Sequence, residues 1–124
     1  MLMKEIKFPE DIKIAYRSFK INDLTDRVGY DGEGEEIYGN MDEDKLEINI
    51  YKHRSQKIEE KMNSFLHECL HSGTHTYGLV GYLGGEECEE KAVNTFANIM
   101  TELLLRNPQL VEYIVKCSKN YNEE

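Results

Sequence analysis

The chain has 124 residues, 40% of them hydrophobic and 10% aromatic, enough for one domain with a packed core. Its formal charge of −9, from 24 acidic and 15 basic residues, argues against nucleic acid as a partner, because phosphate binding needs a dense Lys/Arg face. No apolar run approaches the roughly 18 residues of a membrane span, so no membrane partner is expected.

The N-terminal "MLMKEIKFPED" lacks the apolar centre of a secretory signal, which makes a cytoplasmic location the expectation. Residues 1–54 then read as strands and turns. In "DIKIAY", Ile12, Ile14 and Tyr16 alternate with charged or small residues. "VGYDGEGEE" is a Gly- and acid-rich loop without the spaced oxygen ligands and closing glutamate of an EF-hand, so it reads as a solvated turn. "EIYG" leads through the five-residue turn "NMDED" into "KLEINIY", where Leu46, Ile48 and Ile50 share one face. The pair is expected to form a hairpin.

From about Gln56 the period becomes helical, and residues 55–120 are expected to be helices. Ile58, Met62, Phe65, Leu66 and Cys69 make an apolar stripe that ends near Gly73. The loop "YGLVGYLGG" follows. A second helix runs from about Glu86 to Arg106, packing through Val93, Phe96, Ala97, Met100, Leu103 and Leu104. Asn107-Pro108 is a stop and restart, with Asn as N-cap and Pro at the first helical position. The fold class is therefore α+β: a small N-terminal antiparallel sheet packed against about three helices in a single domain. Cys69, Cys88 and Cys117 are sparse and odd in number, which excludes a disulfide scaffold; Cys69 reads as an inert apolar thiol.

The first long helix carries "HECLH", an H-E-x-x-H pattern made by His67, Glu68 and His71. Residues four apart stack on a helix, so two imidazoles can reach one zinc ion, while the intervening glutamate sits to the side as a base for water. At about 100° per residue both histidines point away from the Ile58/Met62/Phe65/Cys69 stripe, which makes them unlike core histidines. A catalytic zinc site wants a third protein ligand. The next helix opens with Glu86, Glu87, Glu89 and Glu90, and helical geometry alone does not separate Glu86, Glu89 and Glu90 as candidates. Acids gather at a helix N-terminus for the macrodipole alone, but one beside a packing face needs a cation. His75 is a further four residues on, yet Gly73 is expected to end the helix before it. The longer H-E-x-x-H-x-x-G-x-x-H pattern fails, since its Gly and last His fall at Thr74 and Tyr77. A zinc nuclease of the H-x3-H-x5-H kind fails at Tyr77 as well.

"FLHECLHS" with "EEKAVNTFANIMTELLLRNPQL" resembles small phage- and prophage-borne zinc metallopeptidase-like proteins, and more distantly is similar to the ImmA/IrrE metallopeptidases and other gluzincins. Those relatives carry a glutamate ligand on the helix after H-E-x-x-H, often as E-x-x-A-N-x-F-A. The resemblance covers roughly residues 65–110. It implies Glu90 as the ligand, Val93 where alanine is usual, and Asn94 as a residue orienting a ligand. The loop between the helices is short, and no sensor or DNA-binding domain accompanies the match.

These features lead to an expected zinc-dependent peptidase acting on a protein or peptide substrate. His67, His71 and Glu90 would hold Zn²⁺ and Glu68 would deprotonate water. Tyr77 or Tyr82 would meet the oxyanion, and "KLEINIY" would pair with an extended substrate as an edge strand. Two other readings fit the same residues. One is a non-catalytic, zinc-stabilised phage protein that binds a host or phage protein, its site closed by His75. The other is a metal-free interaction module. Substrate and oligomeric state are not legible.

Overall fold

A computed structural model describes residues 6–55 and 57–124. The expected helical onset at Gln56, and the part of the N-terminal signal reading that rests on residues 1–5, lie outside the described residues. Period-two burial organises the first half: β1 (Asp11–Ile14), β2 (Arg17–Leu24), β3 (Gly29–Tyr30), β4 (Glu36–Ile37), β5 (Gly39–Asp42) and β6 (Glu47–Tyr51). Four helices follow: α1 (Ile58–Thr76), α2 (Leu79–Tyr82), α3 (Glu86–Leu105) and α4 (Pro108–Glu123). The α+β class is as expected, with four helices where about three were anticipated. The extra one, α2, forms inside the Gly- and Tyr-bearing loop.

The main sheet has the order β1-β2-β6-β5, and β3 pairs with β4 in a separate two-stranded ribbon. It is mixed, correcting the antiparallel expectation: β1–β2 and β5–β6 are antiparallel, but β2 and β6 run parallel, with Ile21 opposite Ile48. The stretch 25–46 between them supplies the dozen or more residues that a parallel crossover needs. The pleat places Phe19 and Ile21 of β2 and Ile48 and Ile50 of β6 on one face, buried beneath Phe65 and Cys69 of α1. Burying each such side chain contributes about 1.5–3 kcal/mol. Burial also pushes the Cys69 thiol up to about 12, which keeps it an inert apolar group. The other face is polar. Asn22 Nδ2 donates to Asn49 Oδ1 at 2.9 Å, and Asn49 Nδ2 donates to Asn40 Oδ1 at 2.8 Å, linking β2, β6 and β5.

Several boundaries differ from expectation. The chain turns at Ala15-Tyr16, so Tyr16 leaves the β1 face and is exposed. The partner of β6 is "GNMD" rather than "EIYG": β5 takes three of the five residues assigned to the turn, while Glu36–Ile37 joins the small ribbon. Leu46 ends the shortened turn at φ 54° and precedes β6, although it still packs against the core.

Helix α1 does not stop at Gly73. It continues to Thr76, and Gly78, at φ 69°, provides the left-handed stop beyond the Tyr77 cap. A mid-helix glycine costs about 0.5–1 kcal/mol relative to alanine. Side-chain bonds from the following turn, described below, offset this. Helix α3 packs on α1 through Val93, Ala97 and Thr101, but Phe96 and Leu103, expected on the packing face, are exposed. Asn98 and Thr101 meet Asn63 of α1 at 2.9 and 3.3 Å. Asn107 occupies the N-cap position of α4 and Pro108 follows, but the Asn107 side chain donates back to the Leu103 carbonyl instead of capping. None of the described helices is long and apolar enough to cross a membrane.

Candidate metal centre

The α1–α3 contact brings the sequence candidates together. His67 and His71, one turn apart on α1, leave the sheet-facing side and turn their Nε2 atoms toward each other at 3.0 Å. Two imidazole lone pairs at that distance repel unless a proton or a cation lies between them. Glu90, on the second turn of α3, faces both: Oε1 is 2.9 Å from His67 Nε2, and Oε2 is 2.7 Å from His71 Nε2. Two nitrogens and one carboxylate oxygen thus converge on one point, a group that could hold a metal ion.

The donor chemistry fits a four-coordinate divalent cation. Ligand atoms about 2.0–2.1 Å from such an ion stand about 3.3 Å from one another. Here the two Nε2 atoms are 3.0 Å apart, and each stands 2.7–2.9 Å from its own oxygen of the Glu90 carboxylate. Opening by a few tenths of an ångström, within the reach of side-chain torsions, meets that geometry.

Glu89 has a different role from its neighbour. It is buried, and its Oε2 accepts from His71 Nδ1 at 2.7 Å and from Thr74 Oγ1 at 2.5 Å. A proton held on Nδ1 leaves the Nε2 lone pair directed at the convergence point, which is how a carboxylate behind a metal-binding histidine fixes its tautomer. Thr74 also bonds the His71 carbonyl at 3.0 Å, tying the turn beyond Gly73 to the site. Asn94, which the resemblance pointed to as the orienting residue, is exposed; the side chain orienting His71 is Glu89.

Glu68 lies beside the ligand pair and is only 6% exposed. Burial pushes its carboxyl up to about 7; His71 opposes the rise, and the charges of Glu90 and Glu89 add to it. Burial likewise pulls the His67 imidazole below its ordinary value, against Glu90, favouring the neutral ring that a metal requires. A cavity of about 440 Å³ opens onto these groups, walled by Gly39, Asn40 and Met41 of β5, with Glu43 and His75 also at its border. A Cβ at Gly39 would stand 3.1 Å from Glu68 Cγ and 3.1 Å from the Asn49 carbonyl oxygen. Gly39→Ala is therefore expected to destabilise the fold by about 1–3 kcal/mol and to displace the Glu68 carboxyl. A denaturation midpoint equal to wild type would contradict this packing.

His75 belongs to the same helix as the pair, which corrects the expectation that it lies beyond the helix end. Its Nδ1 is 3.4 Å from Glu43 Oε1, and Glu43 is anchored by Arg17 at 2.8 Å. The Arg17 guanidinium holds the Glu43 carboxyl below its ordinary value. His71, His75 and Glu89 form a second group that could hold a metal, sharing His71 with the first. Tyr77 and Tyr82 are not brought to the site: they are 66% and 90% exposed and lie outside the cavity wall. Glu86 borders the cavity but is exposed. Reading the sequence missed Thr74, Gly39 and Glu43. Only Thr74 carried a signal, a hydroxyl three residues after His71 on the same helix face.

Compared with known proteins, the chain matches no family model, no curated protein and no solved structure.

Proposed function

We propose that this protein is a zinc-dependent metallopeptidase, in which His67, His71 and Glu90 are the metal ligands and Glu68 is the general base. The observation that carries the reading is the convergence of two Nε2 atoms and one Glu90 carboxylate, with a buried glutamate of raised pKa beside them. Zinc, when bound, supplies the Lewis acidity that activates water near neutral pH and polarises a carbonyl. Glu68 takes the proton of the attacking water and delivers it to the amine that leaves as the peptide bond breaks. Glu89 keeps His71 in its ligating tautomer. An extended peptide finds its backbone partner on β5, the sheet edge that walls the cavity; β6, the strand first assigned this role, is internal to the sheet. His75, at the cavity border, replaces Tyr77 and Tyr82 as the side chain available to the developing oxyanion.

Zinc-loaded protein is expected to cleave an unstructured protein substrate such as casein, and a chelator should stop it. Cleavage that persists unchanged in chelator would contradict the proposal. The position of His75 favours one second reading: a zinc ion bound by His71, His75 and Glu89, away from His67 and Glu90, would stabilise the fold instead of driving hydrolysis. Zinc-dependent thermal stability without any cleavage is its signature.

A further inference from the structure

Helix α4 is sixteen residues long, yet none of them is buried. An isolated helix of about 12–15 residues is marginal in water, so a helix of this length ordinarily gains its stability by packing an apolar face. Such a face is present. Leu110, Tyr113, Ile114, Cys117 and Tyr121 recur at helical spacing on one side of α4, with Glu112, Lys116 and Lys119 on the other. A second unpartnered stripe lies on the preceding helix. Phe96, Ile99 and Leu103 are 57%, 52% and 48% exposed, because α3 packs on α1 through a different side. Both stripes start from the Asn107 corner, where Ile99, Leu103 and Arg106 line a concavity.

We infer that these two stripes are the interface with a second copy of this chain, forming a two-fold dimer. Two arguments favour this occupant. The first is area. Tyr113, Ile114 and Tyr121 are 66%, 45% and 76% exposed. With the three α3 residues they leave on the order of 700 Å² of side chain in water per copy, using about 150–250 Å² for each aromatic. Two copies together bury about 1,400 Å², within the range of specific stable interfaces. The second is charge. A chain of net charge −9 repels itself over most of its surface. Residues 96–121, however, hold Arg106, Lys116 and Lys119 against Glu102 and Glu112. Four of those five are paired within their own helix, Arg106–Glu102 at 3.0 Å and Lys116–Glu112 at 3.2 Å. This near-neutral segment is where a second copy approaches without the repulsion that opposes contact elsewhere. A two-fold contact is self-complementary, so each chain offers both stripes and receives both.

The inference does not depend on the metal centre. Light scattering of the full chain should give twice the 14.5 kDa chain mass at high concentration, dissociating on dilution. Phe96→Asp and Ile114→Asp change exposed positions, so each variant should keep wild-type circular dichroism while weakening association at least tenfold. Amide exchange of the wild type should show α4 losing protection on dilution while the α1–α3 contact keeps it. A wild type that stays monomeric at every concentration would overturn the inference and assign the face to a different partner. A dimer that survives both variants would overturn it too. If a variant does not fold, the dilution dependence of α4 protection in the wild type decides alone.

Discussion

Glu68→Gln is expected to lower peptide hydrolysis by about 10²–10⁴-fold, the range for losing a general acid–base group, while zinc content remains that of wild type. The two halves of this expectation have separate causes. Gln keeps the shape of the buried side chain, so its contact with Gly39 and the place of His67 and His71 on α1 are undisturbed. What it removes is the basic oxygen, and the neighbouring carboxylates are already engaged: Glu89 with His71 and Thr74, Glu90 with both Nε2 atoms, and Glu43 with Arg17. Parallel measurement of casein cleavage and bound zinc checks it. Full activity in Glu68→Gln would remove Glu68 from the mechanism, and loss of zinc with the activity would make it a ligand instead of a base.

Substituting Glu90 and Glu89 separately should produce losses of different size. Glu90→Ala deletes the carboxylate whose two oxygens face the two imidazoles, so zinc should no longer survive competition from a moderate chelator. Glu89→Ala leaves the ligand atoms in place but frees the His71 tautomer and leaves the Thr74 hydroxyl with the His71 carbonyl as its acceptor. Loss of such an orienting carboxylate costs about 10–100-fold in metal affinity. Titration of zinc against a chromophoric chelator measures both. The reverse order, with Glu89→Ala losing the metal and Glu90→Ala keeping it, would move the ligand role to Glu89 and to the His71–His75 group.

The His67–His71 pairing was legible because its geometry is helical. Spacing of four put His67 and His71 on one face, and that face lay away from the Phe65/Cys69 stripe before any packing was known. The division of labour between Glu89 and Glu90 was not legible. Adjacent positions on a helix differ by about 100°, and which one turns toward α1 depends on the helix–helix contact. Gly73 misled for a related reason. Its local preference signals a helix end, but the Thr74 and His75 bonds to Glu89 and Glu43 support one further turn. The parallel β2–β6 pairing escaped because alternation in "KLEINIY" names a buried face, not a partner or its direction. "EIYG" failed as the hairpin partner because register is set by a turn only four residues long, after Asp42. Phe96 and Leu103 were assigned to the core by apolarity alone, yet an apolar face can equally meet another chain.

The most direct test of the central claim is elemental analysis of the purified wild-type protein beside His67→Ala and His71→Ala, after zinc loading and desalting. The proposed centre predicts about one equivalent of zinc per chain in wild type, and loss of most of it in either variant because two ligands cannot hold the ion. Wild-type protein carrying no zinc, or variants that keep the full equivalent, would contradict it.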